Sequence, residues 1–210
     1  KLDGAAISAL YVNGFLTQVL KRGDGETGEV ITDKFIIATR PLPLSIEYKG
    51  KLQVTGEIVA PKTIPNARNY ASGALGLLDA LEFAQRDLYF VAYDCAGVDY
   101  DYYTQKLDFL HEQGFKTVQD TEFCDNFPHD GIVTRINSQA DYDSLGFTSK
   151  HPRGAFATKS RSEGTGTVLR EVIWQTGRTG RVTPVAIFDP IVIDGATVAR
   201  ATLNNPGYIE

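Results

Sequence analysis

The chain opens with Lys1-Leu2-Asp3-Gly4, a lysine placed two residues before an Asp-Gly pair. A lysine amine attacks phosphorus only when it is deprotonated and aligned with the leaving group. A nearby carboxylate and a flexible glycine help to meet both conditions, so Lys1 is a candidate nucleophile for covalent nucleotidyl transfer and Asp3 a candidate for orienting it. The structural alternative is a solvated lysine beside a strand-edge aspartate, because four residues match such a pattern by chance.

A second motif follows eighteen residues after Gly4 and reads Arg22-Gly23-Asp24-Gly25-Glu26-Thr27-Gly28-Glu29. Glycine at several of these positions permits tight turns that other residues adopt with strain. A plain surface turn is the alternative for this segment. This longer segment is much more specific than the four-residue motif at the start of the chain.

Together with five later segments, these two motifs resemble the NAD-dependent DNA ligases of bacteria and phages, in that family's order. The most specific matches are RGDGxxGE at 22–29 and GRTGxxTPVA at 177–186. The five segments are Gly56-Glu57-Ile58, Asn66-Ala67-Arg68-Asn69 with Ser72-Gly73, Asp130-Gly131-Ile132-Val133, Leu145-Gly146-Phe147-Thr148 through Pro152-Arg153 to Lys159, and Gly177-Arg178-Thr179-Gly180 with Thr183-Pro184-Val185-Ala186.

The resemblance implies an α+β fold. Residues 1–160 would form an ATP-grasp-like nucleotidyltransferase (adenylation) domain with antiparallel sheets and flanking helices, and residues 161–210 the first part of an OB-fold barrel. The implied activity is NAD-dependent sealing of nicks in duplex DNA, with Mg²⁺ as cofactor. AMP would pass from NAD to Lys1, then to the 5′-phosphate of the nick, and the 3′-hydroxyl would displace it.

The resemblance also implies a role for each residue of the adenylation site. Lys1 would be the nucleophile and Asp3 would assist it, while Lys159 would touch the α-phosphate. Asp130 would hold Mg²⁺, and Glu57 would accept from the ribose hydroxyls and could also face the metal. For these acids an exposed strand end or an ordinary turn is the alternative, and for Lys159 it is a surface lysine.

Further residues are implied around the base and the DNA. Tyr93 and Val133 would pack the adenine, with core packing as an equally weighted alternative, and Arg135 would bind the cofactor. Arginine suits phosphate because its planar fork presents several donors. The arginines expected to contact nick phosphates are Arg22, which would also lie near the ribose, Arg68, Arg153 and Arg178.

Three positions depart from the family pattern. Arg135 stands where relatives carry a lysine, Gly76 replaces an arginine that contacts DNA, and Gly154 replaces a tryptophan. A different lysine-adenylating enzyme, such as an ATP-dependent ligase or a capping enzyme, is disfavoured because the two long motifs are not its signatures. A non-catalytic nick-binding subunit stays conceivable because of Gly76 and Arg135.

Composition sets outer bounds. The 210 residues, 42% hydrophobic and 22% charged, contain no apolar run of bilayer length, which predicts a soluble, cytoplasmic protein without membrane association. Cys95 and Cys124 have no CxxC spacing, so we expect buried thiols and no zinc. The net charge of −5 is uneven: residues 1–147 carry 13 basic and 21 acidic side chains, whereas residues 148–210 carry 8 basic and 5 acidic ones.

Hydrophobic patterning predicts the main elements. Asn13-Gly14 should join two strands in a type I′ hairpin, and a second strand pair is expected at 45–48 and 52–59. Helices are expected at 72–85, with Leu78 and Leu81 on the core side, and at 101–113, ended by Gly114. Between them, 88–93 should be a strand buried on both faces. About three strands, fewer than the five of an OB-fold, fit after the predicted hinge at 159–166.

The sequence begins at its own candidate nucleophile. In relatives, the preceding part also binds the nicotinamide mononucleotide half of NAD. A second polypeptide that supplies this part and the remaining barrel strands is therefore one expectation, and simple trimming of the chain is the other. The first would make this chain one subunit of a split ligase.

Overall fold

The computed structural model describes residues 1–21, 28–38, 40–148, 151–159, 164–193, 195–204 and 207. The chain divides into two compact units, Lys1–Ser160 and Arg161–Glu210. Both are built from antiparallel sheets, and the described helices, all short, belong to the first unit. The predicted hinge falls largely on residues 160–163, and the turn around Arg22 on residues 22–27, both outside the described residues.

The first unit is organised around a five-stranded antiparallel sheet in the order β3-β2-β1-β4-β5. The predicted hairpin is confirmed, since Asn13 has φ 53° and Gly14 has φ 83°, the positive values that a type I′ turn requires. Every second residue of β1, including Ile7 and Tyr11, faces the core. The strands are β1 (Ala5–Val12), β2 (Phe15–Lys21), β3 (Glu29–Val30), β4 (Lys51–Val59) and β5 (Tyr89–Ala96).

Within the described part of the first unit, six helices surround this sheet. The main core lies on one sheet face and includes a tilted pair of rings, Phe35 and Phe83, with centroids 5.1 Å apart. The helices are α1 (Thr32–Ala38), α2 (Ala67–Leu75), α3 (Ala80–Ala84), α4 (Tyr103–Glu112), α5 (Thr121–Cys124) and α6 (Gln139–Ser144).

Two predictions about these elements are confirmed. Leu107 and Leu110 of α4 are buried, and Gly114, just beyond the helix, has φ 89°, the left-handed conformation that ends helices. Strand β5 contributes Phe90 to the main core and Val91 to a smaller cluster on the other side. It is therefore buried on both faces, as its continuous apolar run predicts.

Two other predictions are wrong. The expected helix at 72–85 is interrupted between α2 and α3, and Leu78 and Leu81 are 99% and 63% exposed. Asp79 begins α3 by accepting a hydrogen bond from the backbone N–H of Leu81, which resets the helical phase. The expected strand at 45–48 is absent from the described residues, where Ser45 makes only an isolated bridge to Phe15.

A separate two-stranded sheet pairs β6 (Gly131–Arg135) with β7 (Ala155–Lys159). Neither of these strands, both described in full, contains a buried residue, and Ile132, Val133 and Phe156 are all more than half exposed. The orientation of this small sheet therefore rests on contacts at its ends rather than on an apolar core.

The described residues of the second unit contain three antiparallel strands in the order β10-β9-β8, which agrees with the three strands expected after the hinge. They are β8 (Leu169–Thr176), β9 (Val182–Ile193) and β10 (Ala196–Thr202). Arg170 and Asp189 join β8 to β9 by two hydrogen bonds of 2.7 and 2.8 Å. Val185 and Ala186 on β9 are buried apolar residues of this unit.

Cys95 and Cys124 are free thiols, and both are buried in the first unit, as expected for packed cysteines. Burial raises the pKa of each thiol, that of Cys95 to about 11. None of the helices in the described part of the chain has the length and apolar character that a membrane crossing needs.

Candidate nucleotidyl-transfer site

The first residues of the chain pair with a segment that lies 130 residues later. Leu2 bridges His129, the Asp3 N–H donates to the Pro128 carbonyl at 2.9 Å, and the Asp130 N–H donates to the Lys1 carbonyl at 3.1 Å. The Lys1 α-amine also donates to the Gly131 carbonyl at 2.8 Å. This backbone ladder holds Lys1 beside Asp130.

The Lys1 side chain completes the contact. Its Nζ lies 2.7 Å from Oδ1 and 2.6 Å from Oδ2 of Asp130, so one ammonium engages both carboxylate oxygens. Lys159, directly opposite Gly131 at the end of β7, brings a second ammonium to 3.6 Å from the same carboxylate. The Lys1 and Asp130 side chains are 31% and 20% exposed, so a ligand can reach them.

The electrostatics of Asp130 follow from these neighbours. Partial burial on its own would raise the pKa of this carboxyl. The hydrogen bonds and charge of Lys1, with the charge of Lys159, outweigh burial, and the pKa of Asp130 is lowered. Asp130 is therefore ionised at neutral pH and available to an ammonium or a metal ion.

Asp3 and Arg68 form a second ion pair, with Oδ1 2.9 Å from Nη1. Arg68 lies in the first turn of α2, which begins after Asn66 in the left-handed conformation, φ 51° and ψ 45°. This turn of the backbone sets the start of α2 and with it the position of Arg68. The arginine remains 59% exposed, so its fork of donors is open to a further anion.

Glu57 lies late on β4, opposite Ala6 on β1, with the backbone N–H of Gly4 near its carboxylate. Burial raises the pKa of Glu57 to about 7, although the charges of Lys1 and Arg68 oppose the shift. Gly4 is required here because a Cβ would collide with the Ile58 carbonyl oxygen. The close approach of β1 to β4 thus places Glu57 near Lys1.

Six predicted residues therefore meet in one place, and their charges alternate. The set is Lys1, Asp3, Glu57, Arg68, Asp130 and Lys159. A nucleophilic amine beside a carboxylate, with further cations around it, is an arrangement that can accept a phosphate anion and support attack on it.

Comparison with known proteins agrees with this chemistry. The profile of the NAD-dependent DNA ligase adenylation domain matches residues 1–64, and that of the NAD-dependent DNA ligase OB-fold domain matches residues 166–210. A DNA ligase from a Nitratiruptor species is 35% identical over 248 aligned positions, which cover 100% of this chain and 37% of the relative. The chain belongs to the NAD-dependent DNA ligase family.

Two other DNA ligases align about equally well. DNA ligases from Sulfurimonas denitrificans and Bacillus subtilis (strain 168) are 36% and 34% identical, again over 100% of this chain and 38% and 37% of the relative. The chain thus spans a little over a third of the length of the curated ligases that it matches.

Tyr93, Val133, Arg153 and Arg178 are further predicted residues that the structure describes, whereas Arg22 falls outside the described residues. Val133 shares one face of the β6–β7 sheet with Lys159 by register and is 52% exposed, so core packing does not explain it. Tyr93 is half-buried on β5, and its carbonyl accepts the Tyr103 hydroxyl at 2.6 Å. Arg153 is exposed in the loop before β7, and Arg178 is exposed in the turn between β8 and β9.

Arg135 has surroundings that the sequence did not indicate. Its guanidinium carbon lies 4.2 Å from the centroid of Tyr103 and 3.8 Å from that of Tyr142. The two tyrosines come from α4 and α6, so no local spacing links them to Arg135. A small residue at Gly154, against which Tyr142 packs, is the one signal that could have suggested this contact.

Proposed function

We propose that Lys1 is the nucleophile of a DNA ligase that takes AMP from NAD and seals nicks in duplex DNA. The observation that carries this proposal is the pair of contacts, 2.6 and 2.7 Å, between Lys1 Nζ and the Asp130 carboxylate, with Lys159 beside them. Membership of the ligase family supports the same assignment.

The chemistry requires Lys1 to lose one proton to solvent, and until then the ion pair with Asp130 holds its ammonium in place. The amine nitrogen then attacks the α-phosphorus of NAD, a P–N bond forms, and the P–O bond to nicotinamide mononucleotide breaks. An oxygen of the 5′-phosphate next takes AMP from Lys1. The 3′-hydroxyl finally attacks that 5′-phosphorus, forming the phosphodiester and releasing AMP.

Positively charged side chains contribute most to such transfers, because positioning and charge stabilisation matter more than a general base. Lys159 is suited to the α-phosphate because its ammonium already lies beside Asp130. Glu57 is suited to the ribose hydroxyls, and Tyr93 and Val133 to the two sides of the base.

Mg²⁺ fits this site through Asp130, with Glu57 as a second carboxylate. Mg²⁺ is usually bound through one or two carboxylates together with substrate phosphates. When bound, Mg²⁺ would neutralise charge on the phosphate under attack. Asp130 would have to release Lys1 to bind it, which couples metal binding to freeing of the amine.

Nicked duplex DNA is the proposed partner of the arginines Arg22, Arg68, Arg153 and Arg178. Such contacts bind backbone phosphates. They therefore position the duplex but do not read its base sequence. The excess of basic side chains after residue 147 supports a DNA-facing surface in the later part of the chain. We assign residues 1–160 to an ATP-grasp-like adenylation domain and residues 161–210 to part of an OB-fold, acting in the cytoplasm without zinc.

Intact-mass spectrometry after incubation with NAD and Mg²⁺ tests the proposal. The expected result is the gain of one AMP, located on Lys1 by fragmentation. Lys1→Arg is the informative variant because it keeps the cation beside Asp130 but removes the nucleophilic amine. Lys51→Ala, an exposed lysine at the start of β4, is the matched control and should adenylate normally.

Three other outcomes separate the alternatives. AMP gained from ATP but not from NAD would indicate a different class of lysine-adenylating enzyme. Adenylation that appears only after a polypeptide binding nicotinamide mononucleotide is added would indicate one subunit of a split ligase. Nick binding with no lysyl-AMP under any of these conditions would refute the catalytic proposal and favour a nick-binding subunit.

A further inference from the structure

Arg135 is enclosed on both sides by aromatic rings. Its guanidinium carbon is 4.2 Å from the Tyr103 centroid and 3.8 Å from the Tyr142 centroid, and its Nη2 donates to Gln139 Oε1 at 3.0 Å. Its Nε is buried and has no hydrogen-bond partner among the described residues. A planar guanidinium stacks on aromatic faces far better than the compact ammonium of lysine. The arrangement, here called the tyrosine clamp, therefore suits arginine specifically.

The tyrosine clamp joins β6 to α6, the next element along the chain, and to α4, which begins 32 residues before Arg135. Tyr103 begins α4, Arg135 ends β6, and Tyr142 lies in α6. Backbone hydrogen bonds reinforce this junction, since the Tyr103 N–H donates to the Asn137 carbonyl at 2.8 Å and the Gln139 N–H to the Asp101 carbonyl at 2.9 Å.

Gly154 provides the space that Tyr142 needs. A Cβ at position 154 would lie 2.5 Å from Cδ2 and 3.0 Å from Cγ of Tyr142, too close for the ring to stay in place. The Gly154 carbonyl also accepts the Ile136 N–H at 2.9 Å, which fixes its backbone next to the end of β6. Gly154 therefore belongs to the same arrangement as Arg135 and Tyr142.

The tyrosine clamp matters because the β6–β7 sheet, described over both of its strands, has no buried residue to hold it. One end of this sheet carries Asp130 and Lys159, next to Lys1. Arg135 lies at the other end, about 13 Å away for four residues of extended strand. Its guanidinium already contacts two rings and donates to Gln139. Arg135 is therefore poorly placed to bind a phosphate near Lys1.

We propose that Arg135 is a positioning residue whose stack between Tyr103 and Tyr142 fixes the β6–β7 sheet and thereby aligns Asp130 and Lys159 with Lys1. The inference rests on the proposed function for its catalytic consequence, but not for its structural one. It replaces the expectation that Arg135 binds the nucleotide directly.

The test compares Tyr142→Leu, which removes one ring of the clamp, with Tyr142→Phe, which keeps it. In the 210-residue chain, Tyr142→Leu should lower the rate constant for Lys1 adenylation about tenfold, the effect of losing one cation–π contact of ordinary strength. The KM for NAD should change less than about twofold, and Tyr142→Phe should match the wild type. An unchanged rate constant in Tyr142→Leu would overturn the proposal.

Arg135→Lys separates positioning from direct binding. Lysine keeps the charge but not the stacking plane, so a clamp predicts a loss in rate constant similar to that of Tyr142→Leu. A phosphate ligand predicts instead that lysine keeps most of the rate, and that any loss appears in KM. The second pattern would overturn the proposal.

A readout that needs no activity keeps this inference distinct from the proposed function. In the NMR spectrum of the wild type, ring currents should shift the Arg135 side-chain protons upfield, and Tyr142→Leu should reduce that shift. The same variant should speed hydrogen exchange at 131–135 and 155–159 but not in β1 or β4. If the wild type forms no lysyl-AMP with NAD, with ATP or with the added polypeptide, the proposed function fails, yet unchanged exchange in Tyr142→Leu would still refute the clamp.

Discussion

Replacing Glu57 with glutamine should remove a pH-dependent loss of stability. Burial raises the pKa of Glu57 from an ordinary value of 4.5 to about 7, so the folded protein holds this proton over a range where the unfolded chain releases it. The folded state then binds more protons than the unfolded state, and the free energy of unfolding falls as pH rises from about 4.5 to about 7. Glutamine has no proton that titrates in this pH range. Glu57→Gln should therefore lack this pH-dependent change in the free energy of unfolding.

The size of the effect follows from the shift. A change of 2.5 units corresponds to about 3.4 kcal/mol at full development, and the part that falls between pH 5 and pH 8 is about 2.5 kcal/mol. Glu57 is only partly buried, so screening by solvent reduces this to about 2 kcal/mol. We therefore compare the free energy of unfolding of Glu57→Gln with that of the wild type at both pH values. The difference, variant minus wild type, should rise by about 2 kcal/mol from about pH 5 to about pH 8.

Urea-induced unfolding at the two pH values measures this difference. The single tryptophan, Trp174, belongs to the second unit, whereas Glu57 belongs to the first. Nine of the ten tyrosines lie in the first unit, which makes near-ultraviolet circular dichroism of tyrosine the suitable probe. Glu47→Gln, an exposed glutamate in the same unit, controls for the loss of one carboxylate.

Parallel behaviour of the wild type and Glu57→Gln would refute this reasoning. If both lose or gain the same free energy of unfolding between the two pH values, Glu57 is not held in its protonated form by burial. A pH-dependent difference of the opposite sign would mean that Lys1 and Arg68 dominate its surroundings.

Three further changes have expected outcomes. Asp130→Asn removes a charge-assisted contact worth about 1.5 to 3 kcal/mol. The rate of Lys1 adenylation, measured by mass in a quenched assay, should therefore fall about 10- to 150-fold. An unchanged rate would exclude Asp130 from the site. Gly131→Ala should lower the melting temperature by several degrees, because its Cβ would collide with the Thr158 carbonyl and φ is 153°. Gly73→Ala, inside α2 with open space around it, should raise stability by about 0.5 to 1 kcal/mol in the same thermal assay, and a decrease would contradict the described helix.

Local sequence signals predicted the elements that depend on local chemistry. Asn13-Gly14 encodes its turn through conformations that few residues tolerate, and Gly114 ends α4 for the same reason. The prediction of one helix at 72–85 was wrong because the spacing of Leu78 and Leu81 fits a continuous helix. Asp79 instead caps α3 and starts a new helix in a different phase. Periodicity cannot reveal a break that a single side-chain hydrogen bond creates.

The candidate site was predictable in composition but not in geometry. The resemblance to ligases indicated Lys1, Glu57 and Asp130, yet nothing in the residues themselves showed that Lys1 would engage both oxygens of Asp130. Arg135 shows the limit most clearly. Its partners Tyr103 and Tyr142 come from separate helices, so its surroundings depend on tertiary packing that sequence spacing does not encode.

The pairing of Lys1 with Asp130 has a consequence for synthesis of the protein. The hairpin of β1 and β2 can form early, because its contacts are local, but Lys1 meets its acid only after 129 further residues have been made. Contacts of such sequence separation form late in folding. A nascent or broken chain that stops before Asp130 therefore displays the lysine without the carboxylate, and the reactive amine is assembled only in chains that have completed nearly all of the first unit.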